Sequence, residues 1–179
     1  MKFLLVAVTV FALASGIVSE SVQEEKRSGA TIHADIVYLR QRVNDLKTTL
    51  SQKGDLGYLS VIGVASAAIN LKAAIDKATN EAYATPSVTP DEAFKNYKVA
   101  NGTTPDIAAA IDALIARRKN LDGLGLTFLA RDLINQLDKS SELFASSLVR
   151  LCPPPIYKAC LLVKTKIDAD FNRAIKAYS

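Results

Sequence analysis

The 179-residue sequence has no tryptophan, one histidine and two cysteines, and only 7% of it is aromatic. So few large rings leave the interior to aliphatic side chains and to close helix approach across alanine. The lone His33 reads as a surface side chain beside the first periodic segment. No nucleophile elbow or glycine-rich phosphate loop accompanies it, so nothing supports Ser-His-Asp chemistry or phosphate cradling. Cys152 and Cys160 lack the spacing of common metal or redox motifs, and neither a metal nor a cofactor is expected. Asp132, Asp138, Glu142, Asp168 and Asp170 fall largely on polar helix sides and read as solubility groups. The expectation is a protein that is not an enzyme. The formal charge is +4 with a pI near 9.0. Its cations are dispersed among acids rather than concentrated in a stripe beside stacking rings, which argues against nucleic acid.

What is present begins with an apolar leader, "MKFLLVAVTVFALASGIVSES". Lys2 gives the positive start, Phe3 to Ala14 the apolar stretch, and Ala12-Leu13-Ala14 a small-x-small cleavage pattern. The run is shorter than the ~20 apolar residues of a spanning helix, so no stable membrane span is expected. In "EEKRSG" the dibasic pair Lys26-Arg27 offers a site for a secretory-pathway protease. The expected organisation is a signal peptide over 1–19, a propeptide over 20–27 and one mature domain over 28–179. Export makes the protein secreted, extracellular or loosely associated with a cell wall.

The mature chain is helical in pattern throughout, and no strand period competes. Ile32, Ile36, Leu39, Val43, Leu46 and Leu50 recur at three and four residues and predict one helix face. After "KGDLG", Val61, Val64, Ala68, Leu71, Ile75, Ala78 and Ala82 repeat the spacing, with Ile62, Ile69 and Ala73 widening the stripe. "TPDEA" opens a third segment with Thr89 as cap, Pro90 in the first turn and Glu92 closing a capping box. Thr104-Pro105-Asp106 repeats that logic and predicts a fourth helix ending near Gly123, unless the third and fourth form one bent helix. Leu126, Leu129, Leu133, Leu137, Phe144, Leu148 and Leu151 mark a fifth. Ile156, Cys160, Val163, Ile167, Phe171, Ala174 and Tyr178 mark a sixth. The expected fold is all-α, an antiparallel bundle of five to six amphipathic helices.

"LCPPPIYKAC" joins the last two helices. Three prolines end the fifth and turn the chain back. Cys152 and Cys160 then come near enough to bridge, and in an exported protein a disulfide is favoured over two buried thiols. "NGT" at 101–103 is an N-glycosylation acceptor, with Asn101 expected in the connection between two helices.

Four stretches carry a family likeness: "LKAAIDKATNEA", "IDALIARRKNLDGLGL", "ARDLINQLDKSSELFASSL" and "IDADFNRAIKAYS". In their order and spacing, from about Ser28 to Ser179, the sequence resembles the fungal hydrophobic surface binding protein A family, which includes cell wall mannoproteins. That resemblance implies a secreted, non-enzymatic helical bundle that adsorbs to hydrophobic surfaces, with a secreted hydrolase as a partner that it helps toward an insoluble substrate. It also implies an alternative, since some mannoprotein members hold a fatty acid in an apolar tunnel. A high pI, the Cys152–Cys160 pair and the lack of a Ser/Thr-rich stalk or apolar anchor after Ser179 depart from the family pattern.

The alanine- and isoleucine-rich stripe in "IAAAIDALIARRKNLDGLG" is open to three uses. It packs tightly on neighbours, it borders a space for an acyl chain, or it turns outward at an apolar surface when "SQKGDLG" and "NLDGLG" act as hinges. For the second, the expected lining is Leu71, Ile75, Ile111, Leu114, Leu129 and Leu133. A secreted interaction protein, effector-like or antigen-like, is a further reading.

Overall fold

The computed structural model describes residues 28–52, 54 and 57–179. The apolar leader and Lys26-Arg27 lie outside the described residues. Among these there are six helices and no strand: α1 (Gly29–Leu50), α2 (Tyr58–Ala84), α3 (Pro90–Ala116), α4 (Arg118–Gly123), α5 (Thr127–Arg150) and α6 (Pro154–Ala177).

All six apolar residues predicted for α1 are buried. The Thr89 capping box also forms: Thr89 Oγ1 accepts from the Glu92 amide, and the Glu92 carboxylate accepts from the Thr89 amide at 2.8 Å. Of the two arrangements left open, two helices or one, the single helix forms: α3 runs unbroken through Pro105. Pro105 has no N–H for the carbonyl four residues earlier, that of Asn101. The Thr104 hydroxyl donates to that same carbonyl oxygen at 2.9 Å, so Thr104 repairs the helix interior instead of capping a new helix. The chain breaks later, at Arg117, and α4 ends in a Schellman motif. Gly125, with φ of 69°, lets the Leu126 amide reach the Leu121 carbonyl at 2.8 Å.

Side-chain bridges give the helix directions. Asn96 meets Gly29, Asp106 meets Arg40 and Arg117 meets Leu50, so α1 and α3 run parallel. Asp76 with Ser140 and Ala82 with Arg150 make α2 and α5 parallel. Asp112 with Arg173 and Leu114 with Tyr178 do the same for α3 and α6. Helices joined by short turns, α1/α2 and α5/α6, are antiparallel, as expected. The five long helices close a ring in the order α1, α2, α5, α6, α3.

A ring of five has a geometric consequence. At the usual ~8–10 Å separation the axes sit roughly 7–8.5 Å from a common centre, outside the ~5–6 Å radius of a helix with its side chains. Unless long side chains fill the middle, space remains along the bundle axis.

α2 departs from expectation on its outer side. Val61, Ala68, Leu71, Ile75 and Ala78 are buried, but Ile62 and Ile69 are 64% and 55% exposed, and Leu59 is 85% exposed. Ile62, Ile69 and Ala73 therefore face away from both neighbours of α2. Two apolar sides make α2, among the described residues, the one helix long and apolar enough to cross a membrane.

Candidate functional site

Between the helices lies a cavity of about 150 Å³. That is about ten times the ~10–15 Å³ one water needs, in a space with few groups to hold water. α1 contributes Leu39, Val43 and Leu46, α2 Leu71 and Ile75, α5 Ile134, Leu137, Phe144 and Leu148, and α6 Val163, Ile167 and Phe171. α3 contributes Ala93, Ala100 and Ala110 beside Ile111 and Leu114. Those alanines are why the centre stays open: the wall that might have reached inward ends at Cβ. From Asn96 to Leu114 the cavity follows α3 for roughly 27 Å at 1.5 Å per residue.

Four of the six expected lining residues, Leu71, Ile75, Ile111 and Leu114, meet on this cavity. Leu129 and Leu133 do not line it. They border a separate pocket of about 50 Å³ with Val61, Val64, Leu121 and Leu126, behind a shared wall of Leu46, Leu50, Leu114, Ile134 and Leu137. Early in α5 the apolar side faces α2 and α4. Only from Ile134 onward does it face the ring centre.

Cys152 and Cys160 form a disulfide at 2.05 Å, and both border the cavity. Asn101 is corrected: it lies inside α3 and is half-buried, not in a connection. Thr103 of the same sequon is buried and donates to the Val99 carbonyl at 2.8 Å. His33 is half-buried rather than exposed, and its Nδ1 is buried without a partner.

Polar groups on the cavity wall are few. Apart from the disulfide they are Asn96, Tyr97, Thr103, Ser141 and Lys164. Lys164, the single cation there, is held 2.7 Å from Asp168 and 3.9 Å from Glu142. Asp138 stands in the same group. Burial first, then repulsion from Glu142 and Asp168, pushes its carboxyl above the ordinary value. Sequence reasoning treated these acids as surface groups because helical periodicity does not show that α5 and α6 bring them around one lysine. Asn96 was missed too. Its signal was available: Ala93, Asn96, Ala100 and Thr103 form a three-and-four stripe with an amide inside it.

The fold and cavity define a helical-bundle protein built around a mostly apolar interior space. The sequence model of the hydrophobic surface binding protein A family matches residues 29–150. The chain belongs to that family. No curated protein matches it in sequence. Among solved structures it is similar to Afmp4p in complex with palmitic acid, at 23% identity and a TM-score of 0.81, covering 85% of this chain and 100% of that one. It is also similar to ligand binding domain 1 of the Penicillium marneffei MP1 protein, complexed with arachidonic acids, at 15% identity and a TM-score of 0.72. There the match covers 84% of this chain and 95% of that one. Ligand binding domain 2 of the same protein, also with arachidonic acids, gives 14% identity and a TM-score of 0.75, covering 89% and 97%. At these identities the likeness establishes the fold.

Proposed function

We propose that this protein is a secreted, non-enzymatic binder of long acyl chains, which it holds along the axis of the five-helix ring. The observation that carries the reading is the cavity walled by all five long helices. Further support is that Afmp4p and both MP1 domains, built on the same fold, were solved with fatty acids. An acyl chain there replaces contacts that an empty apolar space forfeits. The test is solvent extraction and mass spectrometry of purified residues 28–179, with a lipid-uptake assay on Ala110→Phe. A near-stoichiometric acyl chain, and uptake lost in a variant that still melts cooperatively, is the expected result. An empty protein that refuses added lipid overturns the reading.

A second reading, adsorption to hydrophobic surfaces, is favoured by the outer side of α2. Leu59, Ile62 and Ile69 stand exposed on a stretch, Tyr58 to Leu71, with no charged residue. Phe128, at the start of α5, is 73% exposed. Covering such side chains returns about 25 cal/mol per Å². In this reading the adsorbed protein helps a secreted hydrolase reach an insoluble substrate. Adsorption to hydrophobic beads should fall sharply in the Ile62→Lys, Ile69→Lys double variant and stay intact in Ala110→Phe. Co-sedimentation of a hydrolase with coated beads tests the recruitment step.

A further inference from the structure

We infer that the cavity prefers a lipid whose head group donates a hydrogen bond, a hydroxyl or an un-ionised carboxyl, over a carboxylate anion, and that Asn96 receives it. The inference rests on the reading that an acyl chain occupies the cavity, and it adds which chemical class of chain fits.

Asn96 lies on the cavity wall and is 7% exposed. Its Nδ2 donates to the Gly29 carbonyl at 3.2 Å, while its Oδ1 is buried with no partner. The orientation of the amide is not arbitrary. Exchanging oxygen and nitrogen would set two carbonyl oxygens against each other. The Gly29 amide hydrogen offers no alternative partner, because it serves the Glu92 carboxylate. An amide oxygen only accepts, so whatever completes this site must bring a donor. An ionised carboxylate only accepts as well: it can take the second Nδ2 hydrogen, but it leaves Oδ1 unpaired and is repelled by it.

The other polar end of the wall points the same way by an independent route. A carboxylate would seek Lys164, but Asp168 and Glu142 already hold it and Asp138 stands nearby. A fourth carboxylate there adds repulsion in a partly buried setting where charge is weakly screened. The hydroxyls of Tyr97 and Ser141 both donate and accept, so they suit either head group and do not alter the preference. Asn96 sits where α1 and α3 begin. A chain anchored there runs along α3 toward Leu114.

The experiment is a head-group series at neutral pH on purified residues 28–179, by displacement of a fluorescent fatty-chain probe. It uses 1-hexadecanol, palmitate and methyl palmitate, which share one tail and differ in donor and charge. In the wild type hexadecanol should bind roughly threefold to tenfold more tightly than methyl palmitate, the range of one net hydrogen bond, and more tightly than palmitate. Asn96→Leu should bring hexadecanol down to the level of the ester and leave the ester unchanged. Palmitate binding as tightly as hexadecanol, or a hexadecanol preference that survives Asn96→Leu, overturns the inference while the acyl-chain reading stands. If no lipid displaces the probe, the acyl-chain reading falls and takes this inference with it. The wild-type series requires no variant, so a poorly folding Asn96→Leu still leaves a decisive comparison.

Discussion

The Tyr178 hydroxyl donates to the Leu114 carbonyl oxygen at 2.7 Å, tying the end of α6 to the last turn of α3 at the last α3 residue that borders the cavity. Tyr178 is 2% exposed, and burial pushes its phenol up to about 12 from 10.0. In the unfolded chain the phenol ionises near 10. Between about 10 and 12 the unfolded state therefore holds fewer protons than the folded one, and stability falls as pH rises. The contribution is complete below pH ~10. Tyr178→Phe should cost about 0.5–1.5 kcal/mol at neutral pH. It should also flatten the alkaline loss, read as the difference between the two proteins' urea midpoints from pH 9 to 12.

Thr104 and Pro105 should couple. Thr104→Ala leaves the Asn101 carbonyl without its donor and should cost about 1–3 kcal/mol. Pro105→Ala restores a backbone N–H at the right place, so the double variant should recover most of that loss. Denaturant unfolding of the two single variants and the double variant measures this. If the losses simply add, Thr104 is not repairing the helix.

This pair also explains where the sequence was legible and where it was not. In α1 every predicted inward residue is buried, because a helix apolar on a single side writes that side plainly at three and four. At 101–106 the local signals of Asn-Gly and Thr-Pro argued for a break, and one side-chain hydroxyl reversed them. Periodicity tells which side of a helix is apolar but not which helix covers it. Leu129 and Leu133 were therefore given to the cavity, and Ile62 and Ile69 to the interior. Ring order rests on meetings such as Asp76 with Ser140, sixty-four residues apart, which no local pattern announces.

The disulfide should carry measurable stability. Cys152 and Cys160 are eight residues apart, and closing so short a loop is worth about 2–3 kcal/mol in the chain-entropy account. For a domain of this size that corresponds to roughly 5–10 °C in Tm. Reductant, or the Cys152→Ser, Cys160→Ser double variant, should lower Tm by that amount. A shift below about 2 °C would show that the prolines alone set the turn between α5 and α6.

Arg150, at the end of α5, closes the end of the parallel α2 from outside. One Nη2 donates to the Ala82 carbonyl at 2.8 Å and to the Thr85 carbonyl at 2.9 Å, and both of those residues are 0% exposed. Carbonyls at a helix end that are shut away from water need such a donor. Arg150→Ala should cost about 1.5–3 kcal/mol. Two mechanisms give that number, and Arg150→Met separates them. Methionine keeps much of the apolar stem and removes the donors. Equal destabilisation by Ala and Met assigns the effect to the carbonyls, whereas recovery with Met assigns it to packing of the stem. Arg150→Lys should restore only part of the loss. Its ammonium keeps the charge and several N–H donors on one nitrogen, but it is more strongly hydrated than a guanidinium and costs more to draw against buried carbonyls.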